Sequence, residues 1–509
     1  MRNPEIKPLP VAVRVFPYAP DKEKEHGPTR AWLCPRGQLV IRTLASSSST
    51  QKLTIGSHRF IVGGQCLEEG LFYADDLPRR ELRVLKDYVL SHNANVAPGD
   101  NRRLRLLTRR EFLDLFYQLA YKARCVVVGH DVPKDISRLA FDCSPARGFY
   151  AGGFSFCLWS YKDDKGRERV NGFRPRICAR YMDSKRSLIG FTARNSPDQV
   201  DLIPEGSPSG KPQPGYKFPG HFLNLRTLAF ALTDEGYSLE AACEAFGVET
   251  RKPQSIGHSV ISKEYIDDIR RDVLAMSELT VKLIGEFAEH PIPVSPTHAL
   301  SPAAVGKGYL KAMNVKPVLE RQPDFPKEYL GYAQTAFFGG RTSVHIRKVV
   351  CPVIYADFVS MYATVNALMR LWRFVIAREI RVVEHCKDRV EAFLRTITPD
   401  ILFEPETWTC MNGFVKVVPN GDVLPIRSKY GAASNDWQVG LNHAYAKKED
   451  ALWYSIPDVV GSVLATGRVP EIADAFLIEP DGVTPGLTPT KLRGIVEVHP
   501  SHSRPSSIR

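Results

Sequence analysis

A chain of 509 residues, 43% hydrophobic and 24% charged, has the composition of an ordinary folded protein of roughly two to four domains. Its 68 Lys+Arg against 56 Asp+Glu leave a net charge of +12, which points to an anionic partner such as nucleic acid. The 10 cysteines include no CxxC pair, and the longest apolar stretch is broken by Arg370 and Arg373, so zinc-ribbon, disulfide-framework and membrane-spanning classes are set aside and an intracellular (cytoplasmic) location is expected.

Residues 1–30 are rich in proline and charge and read as a poorly ordered arm. From Gly37 two strands are predicted, Val40–Thr43 and Arg59–Gly63, around a serine-rich loop. FYADDL places Asp75 and Asp76 in a solvated turn before the helix ELRVLKDYVLSH. Residues 109–124 set Phe112, Phe116, Leu119 and Ala120 on one helical face, the strand CVVVGH follows, and Asp131 to Asp135 open a further helix. Residues 206–220 read as a loop, Ser238 as a helix N-cap and Gly247 as a helix stop. A long helix from about Ser262 to His290 carries the stripe Ile266, Ile269, Val273, Met276, Thr280, Leu283 and Phe287. Asp268 and Asp272 share a face beside it, a costly pair unless a cation lies between them. Strands alternating with helices indicate an α/β layer.

PIPVSPTHALSP after His290 is the clearest domain boundary, and a short helix carrying Lys307 and Lys311 follows it. In FFGGRTSVHIRK, Gly339 and Gly340 allow unusual backbone while Arg341, His345, Arg347 and Lys348 place positive charge where a phosphate chain could lie; the plainer reading is a glycine turn beside a basic strand. Val353, Ile354 and Tyr355 predict a buried strand that delivers Asp357, with a helix from Ser360 to Met369. An acid so placed either caps the helix or holds a divalent cation, with Ser360, Met361 and Tyr362 lining the ground beside it. Strands are expected within 376–385, and PNGD at 419–422 is expected to turn a hairpin.

The pattern YADFVSMYATVNA resembles the first palm motif of family B DNA polymerases, DxxSLYPS, at Asp357, Ser360, Met361 and Tyr362, with Ala363 where the family has proline. FFGGRT is similar to the family's YxGG motif, Phe338 replacing its tyrosine; that motif joins exonuclease to palm and touches template backbone, here through Gly339, Gly340, Arg341, Arg347 and Lys348. The preceding elements resemble, in order, the DnaQ-like exonuclease domain of the protein-primed branch found in phages and linear plasmids. The resemblance covers most of residues 37–457. It implies an α/β fold with an RNase H-like (DnaQ-like) exonuclease domain at 31–290, a linker and DNA-contact segment at 291–348, and an incomplete α+β polymerase palm at 349–509. It further implies Mg²⁺ or Mn²⁺ at Asp357, nucleotide against Ser360, Met361 and Tyr362, and DNA, as primer-template or single strand, as the partner.

The family's exonuclease acids come from three motifs, DxE, NxxFD and YxxxD. Arg42 and Leu44 stand at the first, Asp131, Lys134 and Asp135 at the second, and Asp268 and Asp272 at the third, so Asp135 and Asp272 are the catalytic acids that survive. Two metal ions about 3.5–4 Å apart need several carboxylates, so loss of two of the four predicts a dead site, with Arg42 paired to Asp135 or Asp272 and with Asp183 or Asp131 as the only substitute acids. The palm is also short of parts: no DTD follows Asp357, and Lys429 and Tyr430 in SKYG do not match the fingers motif KxxxNSxYG. The expectation is a truncated DNA-directed DNA polymerase active only when another chain supplies the missing palm and fingers, or else an inactive DNA-binding relic of one.

Overall fold

The computed structural model describes residues 37–45, 52–96, 102–192, 218–250, 260–339, 346, 348–358, 360–429 and 437–502, and the statements below concern these. The first body runs β1 (Gly37–Ala45), β2 (Leu53–Val62), β3 (Gln65–Tyr73), α1 (Arg79–Ser91), β4 (Arg105–Thr108), α2 (Arg109–Phe116), β5 (Val126–Gly129) and α3 (Val132–Leu139). It continues through β6 (Asp142–Pro145), β7 (Phe154–Cys157), β8 (Ser160–Lys162), β9 (Glu168–Val170), β10 (Ile177–Tyr181), β11 (Ser187–Phe191), β12 (His221–Asn224), α4 (Leu225–Thr233), α5 (Leu239–Ala245) and α6 (Lys263–Ala288). Six strands form one mixed sheet in the order β12-β5-β1-β2-β3-β4: β1, β2 and β3 are antiparallel neighbours, β5 and β12 extend the β1 side in parallel, and β4 is parallel to β3. A smaller antiparallel sheet, β11-β10-β7-β6, lies beside it.

Strand alternation explains why helices cover both faces. Leu39 and Ile41 enter one core with Phe72, Phe112 and Ile136, whereas Val40 enters the other with Val273, Met276 and Leu279 of α6. The sequence called for two strands; the structure has three, because Gly63 and Gly64, at φ +58 and +81, turn the chain back into β3. Asp75 and Asp76 follow β3 in a turn, where Arg109 pairs with Asp75 at 2.7 Å. Both expected caps form: Ser238 accepts the Ala241 amide, and Ser262 accepts that of Tyr265 at the start of α6, whose predicted stripe is wholly buried.

The chain continues as α7 (Pro302–Ala312), α8 (Val318–Arg321), α9 (Lys327–Thr335), α10 (Met361–Leu368), α11 (Trp372–Ile376), β13 (Glu379–Val383), α12 (Lys387–Arg395), α13 (Pro405–Thr409), β14 (Gly413–Val418), β15 (Asn420–Lys429), β16 (Trp437–Tyr445), β17 (Leu452–Ser455), α14 (Ile456–Thr466), β18 (Glu471–Asp481), β19 (Thr490–Leu492) and β20 (Val496–Val498). Its antiparallel sheet, β13-β18-β14-β17, buries Val415, Val417, Tyr454 and Leu477 against α12 and α14. PNGD does not turn a hairpin. β14 pairs with β17 and β18 while β15 pairs with β16, because Gly421 at φ +81 and Asp422, whose carboxylate takes the Asn420 amide and Arg468, redirect the chain into a different sheet. After β18 the chain returns to the first body, where the Thr488 amide donates to Met313 and Arg493 pairs with Glu286. No helix among the described residues is long and apolar enough to cross a membrane.

Candidate functional site

β1 ends beside the start of α3 and the middle of α6, and this junction gathers the residues assigned to the first, second and third exonuclease motifs. Arg42 points at α6, its Nε 3.4 Å from Asp272 Oδ2, with side chains only 21% and 3% exposed. The next residue, Thr43, donates both its amide and its hydroxyl to Asp135 Oδ1, at 2.8 and 2.7 Å. Arg138, one turn along α3 from Asp135, donates to the Thr43 carbonyl at 2.6 Å. Leu44 packs into a neighbouring apolar cluster and brings no charge.

Burial pushes the Asp135 carboxyl above its usual range, opposed by the Arg42 charge and the Thr43 hydrogen bonds. His130, at the end of β5, is pushed down to about 4 by burial and by Arg42 and Arg226, so this corner holds a neutral imidazole among guanidinium groups. The substitute acids are taken. Asp131 accepts the Tyr181 hydroxyl at 2.7 Å and lies 4.0 Å from Arg226, while Asp183 closes a turn by accepting the Lys185 and Arg186 amides and pairing with Arg186 at 2.7 Å. Asp268 pairs with Arg271 at 3.3 Å. Sequence reasoning missed Thr43, His130, Arg138, Tyr181 and Arg226; of these only Arg138, at a helical i+3 from Asp135, left a signal in the spacing.

The residues around Asp357 are arranged differently from the sequence expectation. Val353, Ile354 and Tyr355 form no strand and are 83%, 96% and 93% exposed, so the predicted buried strand is absent. The physical reason is pairing: apolar residues make a strand only against a neighbour, and none of the described strands runs beside this segment. Asp357 is exposed, and it does not cap α10 either; Ser360 holds the N-cap position in the left-handed region at φ 56, without a side-chain cap bond. Met361 and Tyr362 open α10 and are exposed.

In the glycine segment, Gly339 adopts φ +77 and Lys348 φ +59, while Gly340, Arg341, His345 and Arg347 lie outside the described residues. Phe338 anchors the segment, its ring stacked 5.6 Å from Tyr454 and covered by the Arg427 guanidinium at 4.6 Å. Arg427 also donates to the Phe337 carbonyl. This clasp from β15 had no sequence signal.

The donor sets do not fit divalent metal. At the exonuclease position a guanidinium occupies one acid site and a leucine another, and among the described residues no three His, Cys, Asp or Glu side chains are grouped to hold an ion, at Asp357 included. The chain matches no protein-family model and no curated protein sequence.

Proposed function

We propose that the chain is a family B DNA polymerase-like protein that holds DNA, carries out neither hydrolysis nor synthesis by itself, and would copy DNA only with a second chain supplying the missing palm and fingers. One observation carries this reading: Arg42, Asp135 and Asp272, aligned by three separate motifs far apart in the chain, belong to one pocket. Accidental matches to short patterns would be scattered over the fold. The mixed sheet, with three antiparallel strands extended by parallel β5 and β12 and helices on both faces, supports the finer assignment of an RNase H-like exonuclease domain.

Within this reading the proofreading pocket is inert because its charge has been inverted. A cation pair needs converging carboxylates, and Arg42 supplies a fixed positive charge in their place. Asp357 is one palm acid of two; with the second acid from a partner chain it would hold Mg²⁺ or Mn²⁺ beside Ser360, Met361 and Tyr362. DNA would be held through backbone phosphates at Gly339, Gly340, Arg341, Arg347 and Lys348, consistent with the net charge of +12. The second reading, a relic that binds DNA with no completing partner, differs only in what joins Asp357. The test is DNA affinity against salt: a steep linear fall of log affinity with log salt is expected, and flat dependence would remove DNA binding from the account.

A further inference from the structure

Where the smaller sheet ends beside the Asp131 corner, two aromatic rings stand apart on one face. Phe154 opens β7 and is 54% exposed; Tyr181 closes β10 and is 46% exposed. Phe154 lies directly across from Ala179, so Tyr181, two residues on, is its diagonal neighbour on the same face, about 7–8 Å away by sheet geometry. That gap is about twice the base-stacking repeat of about 3.4 Å, the separation two rings need to hold one base between them. Its floor is low: Ala179 is buried, and Gly153 has no room for a side chain, since a Cβ there would fall 2.2 Å from the Ala179 carbonyl oxygen.

The surroundings suit a nucleic-acid strand. The Tyr181 hydroxyl is held by Asp131 at 2.7 Å, so the ring is already fixed before anything binds. Phe149 and Met182 are exposed at the same end, and Arg147 and Lys134 are exposed there as well. The nearby carboxylates are offset, Asp131 by Tyr181 and Arg226 and Asp183 by Arg186.

We propose that Phe154 and Tyr181 form a clamp for one unstacked base of a single-stranded nucleic acid. The proposal rests on the DNA-holding reading above and assigns it a strand form and a place. The test is fluorescence anisotropy of the full chain with labelled oligothymidylate and, separately, labelled duplex. Phe154→Leu, which keeps apolar bulk without the ring, and Tyr181→Ala are each expected to weaken oligothymidylate binding about 5- to 150-fold, the range of one lost base stack, and to leave duplex affinity unchanged. Phe154→Trp is expected to retain binding, with the emission of the new indole quenched by the oligonucleotide. Wild-type oligothymidylate affinity in both Phe154→Leu and Tyr181→Ala would overturn the clamp alone. Failure of the unaltered chain to bind either oligonucleotide would overturn the DNA-holding reading together with it.

Discussion

Arg42 sits where hydrolysis would need an acid, and its guanidinium is spent on Asp272, which is almost wholly buried. Arg42→Ala would leave that carboxylate facing a cavity, and breaking such a pair typically costs about 3–5 kcal/mol; the low end is expected because Arg42 keeps some contact with water. Urea unfolding measures this loss, and the variant is expected to gain no nuclease activity, since one deletion adds no acid. A second buried carboxylate tests the electrostatics away from the pocket. Glu69 of β3 takes Arg270 at 2.8 Å and Arg59 at 3.6 Å. Burial alone would raise its acidity constant, but the hydrogen bonds and charge of Arg270 outweigh it and hold the carboxyl below the usual range. A depressed folded-state value stabilises above the unfolded-state value and loses that contribution as pH falls through the folded-state value. Glu69→Gln is therefore expected to cost several kcal/mol at pH 7, about the 3–5 kcal/mol of a broken buried pair, and the gap from the unaltered chain should narrow below about pH 4. A gap that stays constant with pH would contradict it.

Elements whose periodicity is carried by their own residues were legible before any coordinates. The stripe of α6 and the Ser238 and Ser262 caps are local facts of spacing and hydroxyl placement, and they stand where they were expected. The apparent strand at Val353–Tyr355 was not legible, because an apolar run states what a segment could bury and says nothing of whether a neighbour exists to bury it. PNGD misled for a related reason: a turn signal fixes a bend, while the partner of the next strand is chosen by the sheet. Ile354→Lys tests the corrected reading at this scale. With Ile354 96% exposed, the change is expected to move unfolding free energy by less than about 0.5 kcal/mol, whereas a strand core would lose several.

At the scale of the molecule, the same pocket that identified the ancestry of the first body also disarms it. The three aligned positions could be named from the sequence, but their meeting depended on β1, α3 and α6 arriving at one place, and Thr43 and Tyr181 became visible only there. The second body has a closed antiparallel sheet with its own core, yet Asp357 and its neighbours stand in solvent beside it. The most direct measurement is a metal titration of the purified chain on labelled primer-template with all four nucleotides present, following both shortening and extension of the primer. The account predicts bound but unchanged DNA at every Mg²⁺ and Mn²⁺ concentration. Metal-dependent release or incorporation that disappears in Asp135→Ala or Asp357→Ala would contradict it.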